Sequence, residues 1–120
     1  MRGEQYLNRP KQYKLVYEQG SSLKNSFLVM RAFPNGLAVT RYGFSVSRKV
    51  GRAVTRNRIK RWLREIFRGT PIKPGWDLVF IVRPKVLGSG YWELKESVRE
   101  LLSRAGLLSE EDEKVSFKTD

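Results

Sequence analysis

The stretch GFSVSRKVGRAVTRNRIKRWLREIF, residues 43–67, joins a strand pattern directly to a helix pattern. Phe44 and Val46 alternate with small residues, which is the period-two pattern of a strand with one buried face. Further along, apolar residues recur at helical spacing until Gly69 ends the pattern. The stretch therefore predicts a strand followed by a long helix over residues 53–68.

The predicted helix has two different faces. A projection at about 100° per residue gathers its apolar side chains in one arc and most of its cations, together with Asn57, in the opposite arc, while Arg56 falls near the apolar edge in the first turn. Residues 48–68, called the basic segment below, contain nine Lys or Arg and one acid, Glu65. Most charged helix faces are merely solvated, but such faces usually mix signs, because like charges four residues apart repel each other. A nearly pure cationic face is better explained by phosphate groups, which Arg grips with two parallel hydrogen bonds.

Composition supports a polyanionic partner and excludes several kinds of site. The chain has 120 residues, enough for one domain, and a formal charge of +12 from 24 Lys or Arg against 12 Asp or Glu. Nucleic acid is the first candidate partner and an anionic membrane surface the second. The sequence has no Cys and no His, which excludes disulfides, thiolate or imidazole metal sites, Cys nucleophiles and His-based acid/base catalysis. No apolar run approaches the roughly 20 residues that span a bilayer, so we expect a cytoplasmic protein without a membrane partner.

The remaining patterns place helices and strands around the basic segment. Residues 9–19 put Tyr13, Val16 and Tyr17 on one stripe, which predicts a short first helix ending at Gly20. The tyrosine rings suit either core packing or a half-open groove that stacks bases.

Three further elements complete the expected order. Residues 27–33 and 37–47 read as strands joined by the turn PNG, which predicts an antiparallel hairpin. Residues 77–83 predict a buried central strand, and residues 92–105 a second long helix. We expect one RNA-binding domain over residues 1–108. Residues 109–120, which hold five of the 12 acids, are expected to form a mobile C-terminal tail.

Residues 43–67 resemble the signature of the protein subunit of bacterial ribonuclease P, including an Arg-Asn-Arg motif on a helix at 56–58. DLVFIVRPKV, from Asp77, resembles the next strand of that family, and the helix with Tyr13 and Tyr17 resembles its first helix. The likeness spans about residues 6–105. It implies an α+β fold: a two-layer α/β sandwich of about four strands and three helices, ribosomal protein S5 domain 2-like, with a left-handed βαβ crossover through the basic helix.

The resemblance also implies a function. Ribonuclease P removes the 5′ leader from precursor tRNA, and its RNA subunit performs the Mg²⁺-dependent hydrolysis and holds most of the Mg²⁺. The protein is implied to bind that catalytic RNA and the single-stranded leader of precursor tRNA, with no obligate protein partner. Carried over by position, the candidates for RNA contact are Arg48, Lys49, Arg52, Arg56, Asn57, Arg58, Lys60, Arg61, Arg64 and Arg68. The candidates for the leader cleft are Tyr13, Tyr17, Phe27, Val29, Arg31, Ser45 and Ser47.

The amino-acid composition independently supports hydrolysis by the RNA subunit rather than by the protein. Protein nucleases usually need His pairs or clustered carboxylates that hold Mg²⁺, and neither pattern is visible, so we predict no catalytic and no metal-ligating side chains. A ribosomal or assembly-type structural RNA-binding protein explains charge and size equally well, but not the specific Arg-Asn-Arg context. A free-standing protein nuclease and a membrane-surface helix are weaker alternatives.

Overall fold

The computed structural model describes residues 6–109, and the predicted acidic tail beyond Ser109 lies outside this range. Three helices and four strands account for most of the described chain. In chain order they are α1 Pro10–Gln19, β1 Ser21–Lys24, β2 Leu28–Pro34, β3 Arg41–Ser45, α2 Ala53–Arg68, β4 Trp76–Val82 and α3 Tyr91–Arg104. Short 3-10 turns at Arg48–Val50 and Pro84–Val86 follow β3 and β4. The α+β class and the four-stranded sheet with three helices are as predicted.

The strands form one mixed sheet in the order β1-β2-β4-β3. β2 runs antiparallel to both β1 and β4, whereas β3 runs parallel to β4. Two parallel neighbours need a crossover connection, and α2 supplies it. This is the crossover through the basic helix that the resemblance implies.

Alternation along β2 and β4 divides the sheet into two faces. Leu28 and Met30 of β2 and Phe80 of β4 belong to the main core, which α2 and α3 cover. Val79, the neighbour of Phe80, points to the other face and packs with Val16 of α1. The sheet, α2 and α3 therefore make the two-layer sandwich, while α1 covers part of the opposite face.

The predicted hairpin is wrong. β2 and β3 are not neighbours, because β4 lies between them and pairs with both. The turn segment bonds to the start of β4 instead: the Asn35 amide N–H donates to the Gly75 carbonyl at 2.9 Å, and its side chain donates to Asp77 at 2.9 Å. β4 is apolar on both faces and needs a partner at each edge, so its burial decides the order of the strands.

The sequence reading also missed β1. This strand is four residues long and mostly exposed at the edge of the sheet. Short, polar edge strands carry almost no hydrophobic pattern, and β1 forms only because β2 offers it a free edge. The strand predicted over 37–47 is shorter than expected, since residues 35–40 form an irregular loop in which Leu37 and Val39 are exposed.

Candidate nucleic-acid interface

The basic helix packs with one face and exposes the other. Its buried residues are Ile59, Leu63, Ile66 and Phe67, all within the apolar arc that the projection predicted. Six candidate residues on the helix and just before it are exposed: Arg52, Asn57, Arg58, Arg61, Arg64 and Arg68. Because the apolar arc is anchored in the main core, the cations are held on a rigid surface rather than on a mobile arm.

Within residues 6–109, no acidic side chain pairs with the Lys and Arg side chains of the basic segment. Like charges stand one turn apart at Lys60, Arg64 and Arg68. The described part of the chain therefore leaves this surface short of anions, and phosphate groups would supply them.

The structure shows which hydrogen bonds the side chains of Arg56 and Asn57 make within the protein. Arg56 is half-buried, and its Nε–H donates to the Gly51 carbonyl at 3.1 Å, so it ties the start of α2 to the preceding turn. Asn57 makes no hydrogen bond within the described residues and does not cap the helix. Its amide stays on the basic face, where it can both donate and accept.

The turn before α2 presents two more cations, Arg48 and Lys49. Ser47 begins this turn, and its hydroxyl accepts a hydrogen bond from the Lys49 amide at 3.3 Å. Val50 is fully buried and anchors the turn. Gly51 has a φ of 150°, a backbone conformation that side chains disfavour, and it lets the chain turn sharply into α2.

A groove at the edge of β3 lies between residues of α1 and residues of α2. It encloses about 220 Å³. Tyr13 of α1 lines one side, Gly43 of β3 forms the floor, and Lys60 and Arg64 of α2 line the other side. Gly43 is required here, because a Cβ at this position would lie 2.7 Å from the Tyr13 ring. The structure thus brings a leader-cleft candidate next to two RNA-contact candidates, which their sequence separation did not reveal.

The Tyr13 hydroxyl stays protonated at neutral pH. Burial, with a smaller contribution from Tyr17, raises its pKa above the usual value. The hydroxyl donates to the Leu7 carbonyl at 3.4 Å. Tyr13 therefore presents a neutral ring to the groove rather than a phenolate that would repel phosphate.

Three other leader-cleft candidates, Val29, Ser45 and Tyr17, lie at the sheet face beside α1. In the register of the sheet, Val29 of β2 and Ser45 of β3 stand on either side of Ile81 of β4, and these three side chains are half-buried. Tyr17 is 39% exposed on α1 above this face. These residues make a shallow surface with an apolar centre and a hydroxyl rim.

Arg31, Phe27 and Ser47 have other surroundings. The Arg31 guanidinium donates to the carbonyls of Tyr17 at 2.5 Å and Gly20 at 3.2 Å, so it holds the C-terminal end of α1 against β2. Phe27 is not brought to the α1 face, since it packs on the main core close to α3. Ser47 lies in the turn before α2.

The sequence reading missed an aromatic cluster that supports the groove. Tyr42 and Phe44 stack on Phe67 of α2, with ring centroids 4.5 and 5.5 Å apart. Tyr6 meets both β3 rings edge-on, at 6.1 Å. The alternation of β3 indicated that Phe44 faces the core, but no pattern pointed to Tyr6, whose place depends on a bridge between Tyr6 and Tyr42.

Residues 6–109 contain no group of three or more Asp or Glu side chains placed to hold a metal ion. Within the same range, none of the helices is long and apolar enough to cross a membrane.

Comparison with known proteins decides the family. The family model described as Ribonuclease P matches residues 1–106. The chain belongs to the ribonuclease P protein family. A ribonuclease P protein component from Dehalococcoides mccartyi strain CBDB1 is 46% identical over 95% of both chains. Another, from Caldanaerobacter subterraneus subsp. tengcongensis, is 42% identical over 88% of this chain and 93% of the relative.

Solved ribonuclease P proteins share the fold. A Staphylococcus aureus RNase P protein mutant superposes with a TM-score of 0.84 at 28% identity, covering 90% of this chain and 93% of that one. The Thermotoga maritima RNase P protein gives 0.75 at 36% identity, covering 82% and 96%. This chain is thus a protein subunit of ribonuclease P, a ribonucleoprotein that processes tRNA, and its basic segment makes up most of the signature by which the sequence resembled that family.

Proposed function

We propose that this ribonuclease P protein binds the catalytic RNA with the basic face of α2 and guides the 5′ leader of precursor tRNA along α1 and the adjoining sheet face. The observation that carries the proposal is the surface of cations on α2, which form no ion pair in the described part of the chain and are presented by a helix anchored through its buried apolar arc. Rigid cations lose little entropy when they meet phosphates, so their electrostatic attraction is retained as binding free energy.

The chemistry is assigned to the RNA subunit. The chain has no His and no Cys, and the single acid on the basic face, Glu65, is exposed. One carboxylate does not make a two-metal site. The proposed Mg²⁺ is therefore held mainly by the RNA, and the protein contributes charge and orientation. A cytoplasmic location belongs to the same proposal.

The groove at the β3 edge supports the path of the leader. Tyr13 on one side offers a ring for a base, while Lys60 and Arg64 on the other offer charge for the phosphate of the same nucleotide. A strand that leaves RNA bound on α2 can pass through this groove to Tyr17 and the sheet face. Stacking and phosphate contacts of this kind tolerate any sequence, as required of a protein that handles many different leaders.

Cleavage of a precursor tRNA in Mg²⁺ tests the proposal, with and without a catalytic ribonuclease P RNA. We expect no cleavage by the protein alone and faster cleavage when both subunits are present. Arg61→Ala and Arg64→Ala should weaken the stimulation, whereas Arg104→Ala, an equal change of charge at the far end of α3, should leave it nearly intact. Cleavage by the protein alone would assign the chemistry to the protein. Tight RNA binding without any stimulation would favour a purely structural RNA-binding protein.

The leader contact has its own test. Tyr17→Ala should weaken binding of the holoenzyme to precursor tRNA and leave binding to mature tRNA unchanged. Equal weakening of both would place Tyr17 outside the leader path.

A further inference from the structure

A row of cations and aromatic rings crosses from α2 to α3, on the flank of α2 away from the groove. The Arg58 guanidinium lies over Trp62 at 5.5 Å, and Trp62 meets Tyr91 edge-on at 6.2 Å. Tyr91 meets Trp92 at 5.1 Å, and the Lys95 ammonium lies over Trp92 at 5.3 Å. These five side chains are called the aromatic row below.

Trp92 is the exposed end of the row. Trp62 and Tyr91 are half-buried and pack against the main core, but Trp92 is 73% exposed. A ring this open contributes little to folding, because most of its apolar surface stays in water. Single exposed apolar residues are common, but Trp92 lies at the end of a row that starts at Arg58 on the basic face, and the Lys95 ammonium lies over its ring.

Charge is divided along the outside of α3. At about 100° per residue, Lys95 projects on the side of α3 that faces α2, as Tyr91 does. Glu93, Glu96 and Glu100 project on the side that faces β1, where Glu100 accepts a hydrogen bond from Asn25. Trp92 stands between the two sides. The charge on α3 therefore favours a polyanion that reaches Trp92 from the side of α2.

We propose that Trp92 is a stacking site for an unpaired base of RNA bound on the basic face of α2, with Lys95 holding a flanking phosphate and Arg58 a phosphate further along the strand. This inference rests on the proposed RNA binding by α2. An aromatic face beside cations is the combination that binds unpaired nucleotides without reading their sequence. Because the row continues the cationic surface of α2, RNA is the favoured occupant. The row and the groove lie on opposite flanks of α2, so an RNA lying across the helix is engaged at both sides.

The experiment compares two probes of equal length, a single-stranded oligouridine and the same oligomer with abasic ribose in place of uridine. Both present the same phosphates, but only oligouridine can stack. Trp92→Ala should lower affinity for oligouridine by about 5- to 100-fold, while affinity for the abasic probe and the salt dependence stay nearly unchanged. Trp92→Phe should restore much of the loss, and Trp92→Leu, which keeps apolar area but has no ring, should not.

A direct readout comes from a variant in which Trp92 is the one remaining tryptophan, made by Trp62→Phe and Trp76→Phe. Oligouridine should quench its fluorescence and the abasic probe should not. Equal losses for both probes in Trp92→Ala, or full affinity in Trp92→Leu, would overturn the stacking site while leaving RNA binding by α2 intact. If wild-type protein binds neither probe, the stacking site is overturned, while stimulation of the catalytic RNA continues to test the proposed function separately. Concentration-dependent dimerisation that Trp92→Ala abolishes, without any effect of the base, would assign the row to a second copy of this chain.

Discussion

Removing charge from the basic face of α2 should change the salt dependence of RNA binding but not the stability. Removing apolar area from its buried face should lower the stability but not change that salt dependence. The first variant changes Arg61, Arg64 and Arg68 together to Ala; all three are exposed and have no ion-pair partner within residues 6–109. The second is Leu63→Ala, at a side chain with 0% exposure in the main core. The two variants separate RNA binding from folding on a single helix.

The expected magnitudes follow from these positions. Each phosphate contact contributes about 0.9 to the salt slope on duplex nucleic acid, so the loss of three contacts lowers the slope by up to about 2.7. Between 50 and 200 mM salt, binding then loses about 40-fold less affinity than for the wild type. Stability should stay within about 0.5 kcal/mol, as for other surface changes, and relief of the repulsion between Arg64 and Arg68 acts in its favour. Leu63→Ala should cost about 2–5 kcal/mol.

Two measurements decide the outcome. Filter binding or anisotropy with the catalytic RNA across a salt series gives the slope, and urea denaturation gives the free energy of unfolding. The triple-Arg variant should change the slope and not the stability, and Leu63→Ala should do the reverse at temperatures where it stays folded. A similar loss of stability in both variants would refute the assignment of two faces. An unchanged slope in the triple-Arg variant would show that these three cations do not meet phosphates.

Three further changes test other parts of the structure. Gly43→Ala should displace the Tyr13 ring, 2.7 Å from the new Cβ, and weaken leader binding as Tyr13→Ala does, with no further loss when both changes are combined. Asp77→Ala removes the carboxylate that pairs with Arg41 at 2.7 Å. Because the Arg41 side chain is 22% exposed, urea denaturation should show a loss of unfolding free energy below the roughly 3–5 kcal/mol expected for a fully buried pair. Burial raises the pKa of Tyr42 to about 12, whereas the pKa of an unfolded tyrosine is about 10. The folded state therefore holds more protons between these pH values and stability falls as pH rises, a fall that Tyr42→Phe should reduce.

Local patterns were sufficient for the helices and for the chemistry of α2. The bounds of α2 follow from the spacing of apolar residues such as Ile59 and Leu63 and from Gly69 after the last turn, because the pitch of a helix converts sequence spacing directly into a face. The cationic arc opposite follows from the same geometry. Its surplus of charge, counted from the sequence alone, already indicated a polyanionic partner.

The arrangement of the strands was decided by burial. β4 is apolar on both faces, so the most stable arrangement places it in the centre, with β2 and β3 at its edges, and this breaks the hairpin that the turn at Asn35 had indicated. Which strand pairs with which depends on contacts between residues far apart in the chain, and a period-two pattern contains no information about them.

The sites that join separate elements belong to the tertiary structure for the same reason. Tyr13 lines the same groove as Lys60 because its ring reaches from α1 to Gly43 of β3. Trp62 meets Tyr91 because α2 and α3 pack side by side. By itself the sequence determined a rigid basic helix and its family. The tertiary structure determined which rings stand beside its cations, because only the packing of the sheet brings those elements together.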